Sequence, residues 1–132
     1  MFYDLEEPNK FIKDIEDNSN YSFYKLDINE TETINNLFQK YNFDTVINLA
    51  AESHVDRSID DPAEFIETNV NGTLNMLEVS RSYWQNKGKP SIFRFHHIST
   101  DEVFGSLSSD SSIVFTENPP YDPHSPYSAS KA

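Results

Sequence analysis

The chain has 132 residues, a formal charge of −12 and no cysteine. That length suffices for one domain with one modest core. The charge disfavours nonspecific binding to nucleic acid or to an acidic membrane, and the lack of cysteine excludes disulfides and thiolate metal sites. No apolar run approaches the roughly 20 residues of a membrane span. The opening Met1-Phe2-Tyr3-Asp4-Leu5-Glu6-Glu7-Pro8 lacks the basic start and apolar stretch of a signal peptide. The expected setting is cytoplasmic, and a local site can still take a phosphorylated ligand against the global field.

Residues Phe11 to Ile15 are weakly periodic. Tyr21 to Ile28 alternates and is aromatic, as a strand would be. Asn29 with Glu32 resembles a capping box, and Ile34, Leu37, Phe38 and Tyr41 then form one apolar helix face. Thr45 to Ala51 is a short apolar run that suits a strand of a parallel sheet, buried on both faces. Asp61 and Pro62 suit the start of a helix whose buried side is expected to carry Phe65, Ile66, Val70, Leu74 and Leu77. Gly72 in its middle costs about 1 kcal/mol relative to Ala; a close approach to a neighbouring backbone or ligand would explain it. Tyr83 and Trp84 are expected in the core. Gly88 and Pro90 close the helix, Ile92 to Ile98 reads as a further strand, and Gly105 to Pro126 reads as loop. Strand, helix, strand, helix, strand implies an α/β fold, a parallel sheet covered by helices.

Ligands in such sheets bind beyond the carboxyl ends of the strands. Three polar clusters lie there: Asp27-Ile28, Ala50-Ala51-Glu52-Ser53-His54 and Ser99-Thr100-Asp101-Glu102. Small Ala residues let a ligand approach the backbone. Adjacent carboxylates repel, so in a dry site Asp101 and Glu102 would supply one acid and one base, suited to eliminating water. The same pair also fits a capped loop with solvated acids. In Tyr127-Ser128-Ala129-Ser130-Lys131, a helix puts Tyr127 and Lys131 on one face. An ammonium beside a phenol favours the phenolate, a base for alcohol oxidation. His54, His96 and His97 match no common zinc spacing, and His96 and His97 point to opposite faces of a strand; no metal is expected. Asp56 and Arg57 suit a local ion pair.

Four segments in order resemble the dTDP-glucose 4,6-dehydratase family of extended short-chain dehydrogenases. They are Leu49 to Ile59, Phe65 to Thr73, Phe93 to Gly105 and Ser125 to Ala132. Thr100-Asp101-Glu102 is the specific part, since epimerases of the same superfamily share Tyr-x-x-x-Lys but usually lack the Asp-Glu pair. The resemblance implies a Rossmann-like NAD-binding domain. It implies that Tyr127, assisted by Lys131, takes a proton as the sugar C4 hydroxyl is oxidised by NAD. Glu102 would remove the C5 proton, Asp101 would protonate the departing C6 hydroxyl, and Thr100 would hydrogen-bond the C4 oxygen. Asp27 and Ile28 would flank the adenine. Leu49, Ala50, Ala51, Ser53 and Thr68 would line the cofactor together with Tyr127 and Lys131, and Ser53 would also touch the nucleotide sugar. A UDP-glucose 4,6-dehydratase has the same chemistry on a different base and stays open, as does a non-catalytic remnant that pairs with a homologue.

The sequence departs from the family at both ends. With three glycines in all, it has no Gly-x-x-Gly-x-x-Gly turn to hold the pyrophosphate. The family's first two strands and its substrate domain are expected to be missing, so residues 1–132 would be a partial NAD-binding domain. The last helix keeps about one turn, so the Tyr127–Lys131 geometry is expected to be poorly held. The family homodimer uses that helix, and its truncation argues against a dimer. The isolated chain is expected to be inactive.

Overall fold

A computed structural model describes residues 18–107, 114–116 and 118–132. The periodicity at Phe11 to Ile15 and part of the loop after Gly105 lie outside the described residues. Helix α1 (Thr31–Tyr41) leads to strand β1 (Thr45–Asn48). Helices α2 (Val55–Asp60) and α3 (Pro62–Phe65) follow, and α3 runs through a π-helical turn (Ile66–Gly72) into α4 (Thr73–Asn86). Strand β2 (Arg94–His97), a 3₁₀ turn (Asp101–Phe104) and α5 (Pro126–Lys131) complete the order.

The two strands pair in parallel, Val46 opposite Phe95 and Asn48 opposite His97. A parallel pair needs a crossover, and the helical run from Pro62 to Asn86 supplies it. Side chains alternate along both strands. Val46 and Asn48 are buried, and Phe95 and His97 are half-buried on the same face. Ile47 on the opposite face is 61% exposed. Among the described residues β1 therefore has one open face, against the expectation of a strand buried on both, and helices cover the Val46 side. His96 and His97 do point to opposite faces.

The core is Ile34 and Phe38 of α1, Val46, and Val79 and Tyr83 of α4, with Leu26, Met76, Phe93 and Phe95 packed around it. Edge-to-face rings tie it together: Phe38 lies 5.3 Å from Tyr83 and 5.2 Å from Phe43. Tyr83 is thus core as expected, while Trp84 is half-buried and donates to Pro90 O at 3.1 Å. The chain leaves α4 through left-handed Gly88 and Lys89.

Three elements differ from the sequence expectation. Tyr21–Ile28 is not a strand, because a strand is defined by a partner and the described residues offer it none. Asn29 does not cap α1: its side chain is taken by Asp27 Oδ1 at 3.1 Å, and Glu30 occupies the cap position. The buried side of the long helix carries Phe65, Asn69, Gly72, Val79 and Tyr83, whereas Ile66, Val70, Leu74 and Leu77 are exposed. The packing side is chosen by close approach and hydrogen bonding. At Gly72 a Cβ would come within 2.7 Å of Ile28 Cγ1 and closer still to Cδ1. The close neighbour that explains this glycine is a side chain, not backbone or ligand.

Candidate functional site

Both strands end at the same level, and the polar clusters leave from there. Ile98 N–H still donates to Asn48 O at 3.0 Å, so the two exits begin side by side. After β1, Ala50, Ala51 and Glu52 are half-buried, while Leu49, Ser53 and His54 are exposed. After β2, Thr100 caps the 3₁₀ turn by accepting from Glu102 N–H at 3.3 Å. The turn presents Asp101 and Glu102 to solvent, and Val103 beneath it is buried. Among the described residues both carboxylates are exposed on the capped turn.

Helix α5 brings Tyr127 and Lys131 to this end. Six residues do not hold a helix by propensity, so its stability comes from capping and tertiary bonds. Ser125 and Ser128 form a reciprocal capping box, with Pro126 in the first turn. Ser58 Oγ, fully buried, accepts from Tyr127 N–H at 3.1 Å. Ser99 Oγ donates to Lys131 O at 2.8 Å, and Lys131 Nζ donates to Ile98 O at 2.7 Å. The Tyr127 ring packs edge-on to Phe65, centroids 6.4 Å apart. The expectation of a poorly held Tyr127–Lys131 helix is therefore corrected: it is anchored at both ends. The Lys131 ammonium is buried, and burial pulls it below the ordinary lysine range. It is engaged by a main-chain carbonyl at the end of β2 rather than by the Tyr127 hydroxyl.

Asn69 joins the two halves. Its Oδ1 accepts from Glu52 N–H at 2.9 Å, and its Nδ2 donates to Glu52 O at 2.9 Å and to Ser130 Oγ at 2.8 Å. It lies within the π-helical turn, a feature frequent near functional sites. Thr68 beside it is half-buried. Asp27 and Ile28 form a turn held from the same helix: Asn75 Nδ2 donates to Ile28 O at 2.6 Å and Asn75 Oδ1 accepts from Thr31 Oγ1 at 2.7 Å. Sequence reasoning gave no role to Asn69, Asn75 or Ser58. The available signal was a polar or small residue on the helix face opposite the apparent apolar stripe. Arg57 pairs with Glu64 at 2.6 Å and Glu52 at 3.3 Å instead of Asp56. Adjacent helix residues point apart, which leaves these two acids as its partners.

A parallel sheet with a helical crossover, polar loops at its carboxyl edge and a Tyr-x-x-x-Lys helix docked on them defines a Rossmann-like unit of the short-chain dehydrogenase type. The sequence profile of the GDP-mannose 4,6 dehydratase family matches residues 4–132, and the chain belongs to that family. It is 54% identical over 123 residues to the dTDP-glucose 4,6-dehydratase of Haemophilus influenzae, covering 92% of this chain and 36% of that one. It is 50% identical to the Neisseria meningitidis dTDP-glucose 4,6-dehydratase, covering 92% of this chain and 34% of that one. The Streptomyces venezuelae dTDP-glucose 4,6-dehydratase, solved with NAD and TYD bound, superposes with a TM-score of 0.78 at 35% identity, covering 93% of this chain and 34% of that one. The chain thus spans about a third of the length of these relatives.

Proposed function

We propose that the chain carries the catalytic segment of an NAD-dependent dTDP-glucose 4,6-dehydratase of the cytoplasm. The observation that supports this best is the clamp of α5 onto the strand ends through Ser99, Ile98 and Asn69. It sets the Tyr127 helix beside the Thr100–Glu102 turn. The small half-buried Ala50 and Ala51 give a flat approach to the backbone, with Leu49, Ser53 and Thr68 at its margin, a wall that suits a dinucleotide. Asp27 and Ile28 would face its adenine. When bound, NAD supplies a hydride acceptor and later returns the hydride.

The protein's own residues would move the protons. Tyr127 takes the proton of the sugar C4 hydroxyl, with the Lys131 charge favouring the phenolate. Thr100 donates to the C4 oxygen. The C4 ketone acidifies the C5 proton, which Glu102 removes. Asp101 protonates the departing C6 hydroxyl, and Ser53 contacts the nucleotide sugar. Closure of the site over these carboxylates, now exposed, would be needed to separate acid from base.

The test is a chimera in which this chain replaces the matching segment of the Haemophilus influenzae relative. Conversion of dTDP-glucose to its 4-keto-6-deoxy product, lost on Tyr127→Phe and on Asp101→Asn, is expected. A chimera that folds and binds NAD yet forms no product refutes the reading. Product from UDP-glucose but not dTDP-glucose would move the assignment to the uracil nucleotide.

A further inference from the structure

We infer that His97 is a positioning residue: its neutral imidazole, accepting from the Asn48 amide, holds the Ala50 loop at the carboxyl end of β1. Asn48 is buried, 3% exposed. Its Oδ1 accepts from Ala50 N–H at 3.3 Å, and that fixes which way the amide points. Its Nδ2 then faces Thr73 Oγ1 at 3.4 Å and His97 Nδ1 at 3.3 Å. An amide NH₂ is a donor only, so Nδ1 accepts and the imidazole proton lies on Nε2.

A second proton would set N–H against N–H and release the amide that restrains Ala50. The surroundings oppose that proton. β1 presents Asn48 to the ring, and the long helix presents Thr73 and Leu77 to the groove of about 390 Å³ that His97 lines. α5 presents Lys131, the only other titratable side chain among the described residues that line it. Burial first, and the Lys131 charge second, hold His97 below the ordinary histidine range. With a folded value below the unfolded one, the restraint on Ala50 is complete above the unfolded value of 6.5 and is lost as pH falls through the folded one. The consequence for the cofactor wall rests on the proposed function; the latch itself does not.

The experiment is amide exchange on the whole chain between about pH 7.5 and about pH 5, expressed as protection factors, with the His97 ring nitrogens read by NMR. The expected result is the Nε2–H tautomer at the higher pH. Ala50 protection should fall by up to about tenfold per pH unit between the unfolded value of 6.5 and the lower His97 midpoint, and level off below it. Arg94 N–H, bonded to Asp44 O at 3.0 Å at the far end of the sheet, should change less. His97→Gln, a neutral acceptor, should keep Ala50 protected across the range, and His97→Leu should lose it throughout. An Nδ1–H tautomer, an Ala50 profile that His97→Gln leaves unaltered, or a His97 that titrates as in an unfolded peptide would each overturn the inference. No cofactor enters these readouts, so their failure leaves the dehydratase reading to the chimera.

Discussion

Replacing Asn69 by Ala tests whether the site is held by one side chain. Asn69 is 3% exposed and makes three hydrogen bonds, at 2.8 to 2.9 Å. Alanine would leave the Glu52 N–H and C=O without this partner, while Ser130 Oγ keeps its bond to Tyr127 O at 2.7 Å. Each buried polar group left unpaired costs about 1–3 kcal/mol. Glu52 is only half-buried, so water recovers part of the loss and about 2–3 kcal/mol remains. Against a total stability of about 5–15 kcal/mol this is a large share. With a urea slope of about 1–2 kcal/mol/M, the midpoint should fall by about 2 M. The assay is urea unfolding followed by circular dichroism. Asn71→Ala is the control: Asn71 is exposed and bonds only its helical neighbour Glu67, so its change should stay within about 0.5 kcal/mol. An Asn69→Ala midpoint within about 0.3 M of the parent would refute the account of how the two halves are joined.

Gly72→Ala should destabilise the chain, because the overpacking cost of about 1–3 kcal/mol against Ile28 exceeds the roughly 1 kcal/mol gained in helix propensity. A double-mutant cycle with Ile28→Ala should recover most of it, and strict additivity would exclude the clash. Tyr41 should titrate early: hydrogen bonds from Ser22, then Tyr24 and Lys40, lower its phenol to about 8. One tyrosine should therefore ionise near that pH by ultraviolet absorbance, and Tyr41→Phe should abolish that step. The sign follows from the lowered folded value. Tyr41 adds stability that is fully present above the unfolded value of 10 and is lost as pH falls through about 8. A stability that declines across that window in the parent, relative to Tyr41→Phe, would contradict it.

Much of the architecture was legible because it rests on local signals. Ile34 and Phe38 at helical spacing, Pro62 at a helix start, and the apolar runs at Thr45 and Ile92 are properties of neighbouring residues, and each element formed. What failed depended on partners. Tyr21–Ile28 has strand-like residues, but a ladder needs a second chain segment in register. The long helix was oriented by counting apolar residues, yet Asn69 and Gly72 decide its contacts, one by bonding and the other by having no side chain. For the site, Tyr127 and Lys131 were legible as letters on one helix. The anchors that hold this helix, Ser58, Asn69 and Ser99, lie 69, 61 and 32 residues from the helix residues they bond, and only the fold brings them together. The exposure of Asp101 and Glu102 was likewise beyond the sequence, since adjacency says nothing about solvent.

The open face of β1 has a colloidal consequence. Ile47 and Leu49 are 61% and 67% exposed, and Ile98 adds to the same region. Flat apolar surface beside strand edges invites copies to adhere. A charge of −12 sets the opposing barrier. That barrier has the range of the Debye length, about 10 Å at 0.1 M salt and about 3 Å at 1 M. It vanishes near the isoelectric point of about 4.5. Dispersion of this chain in water is therefore a contest between a fixed sticky area and an adjustable repulsion, and salt or acid decides it without altering a single contact inside the fold.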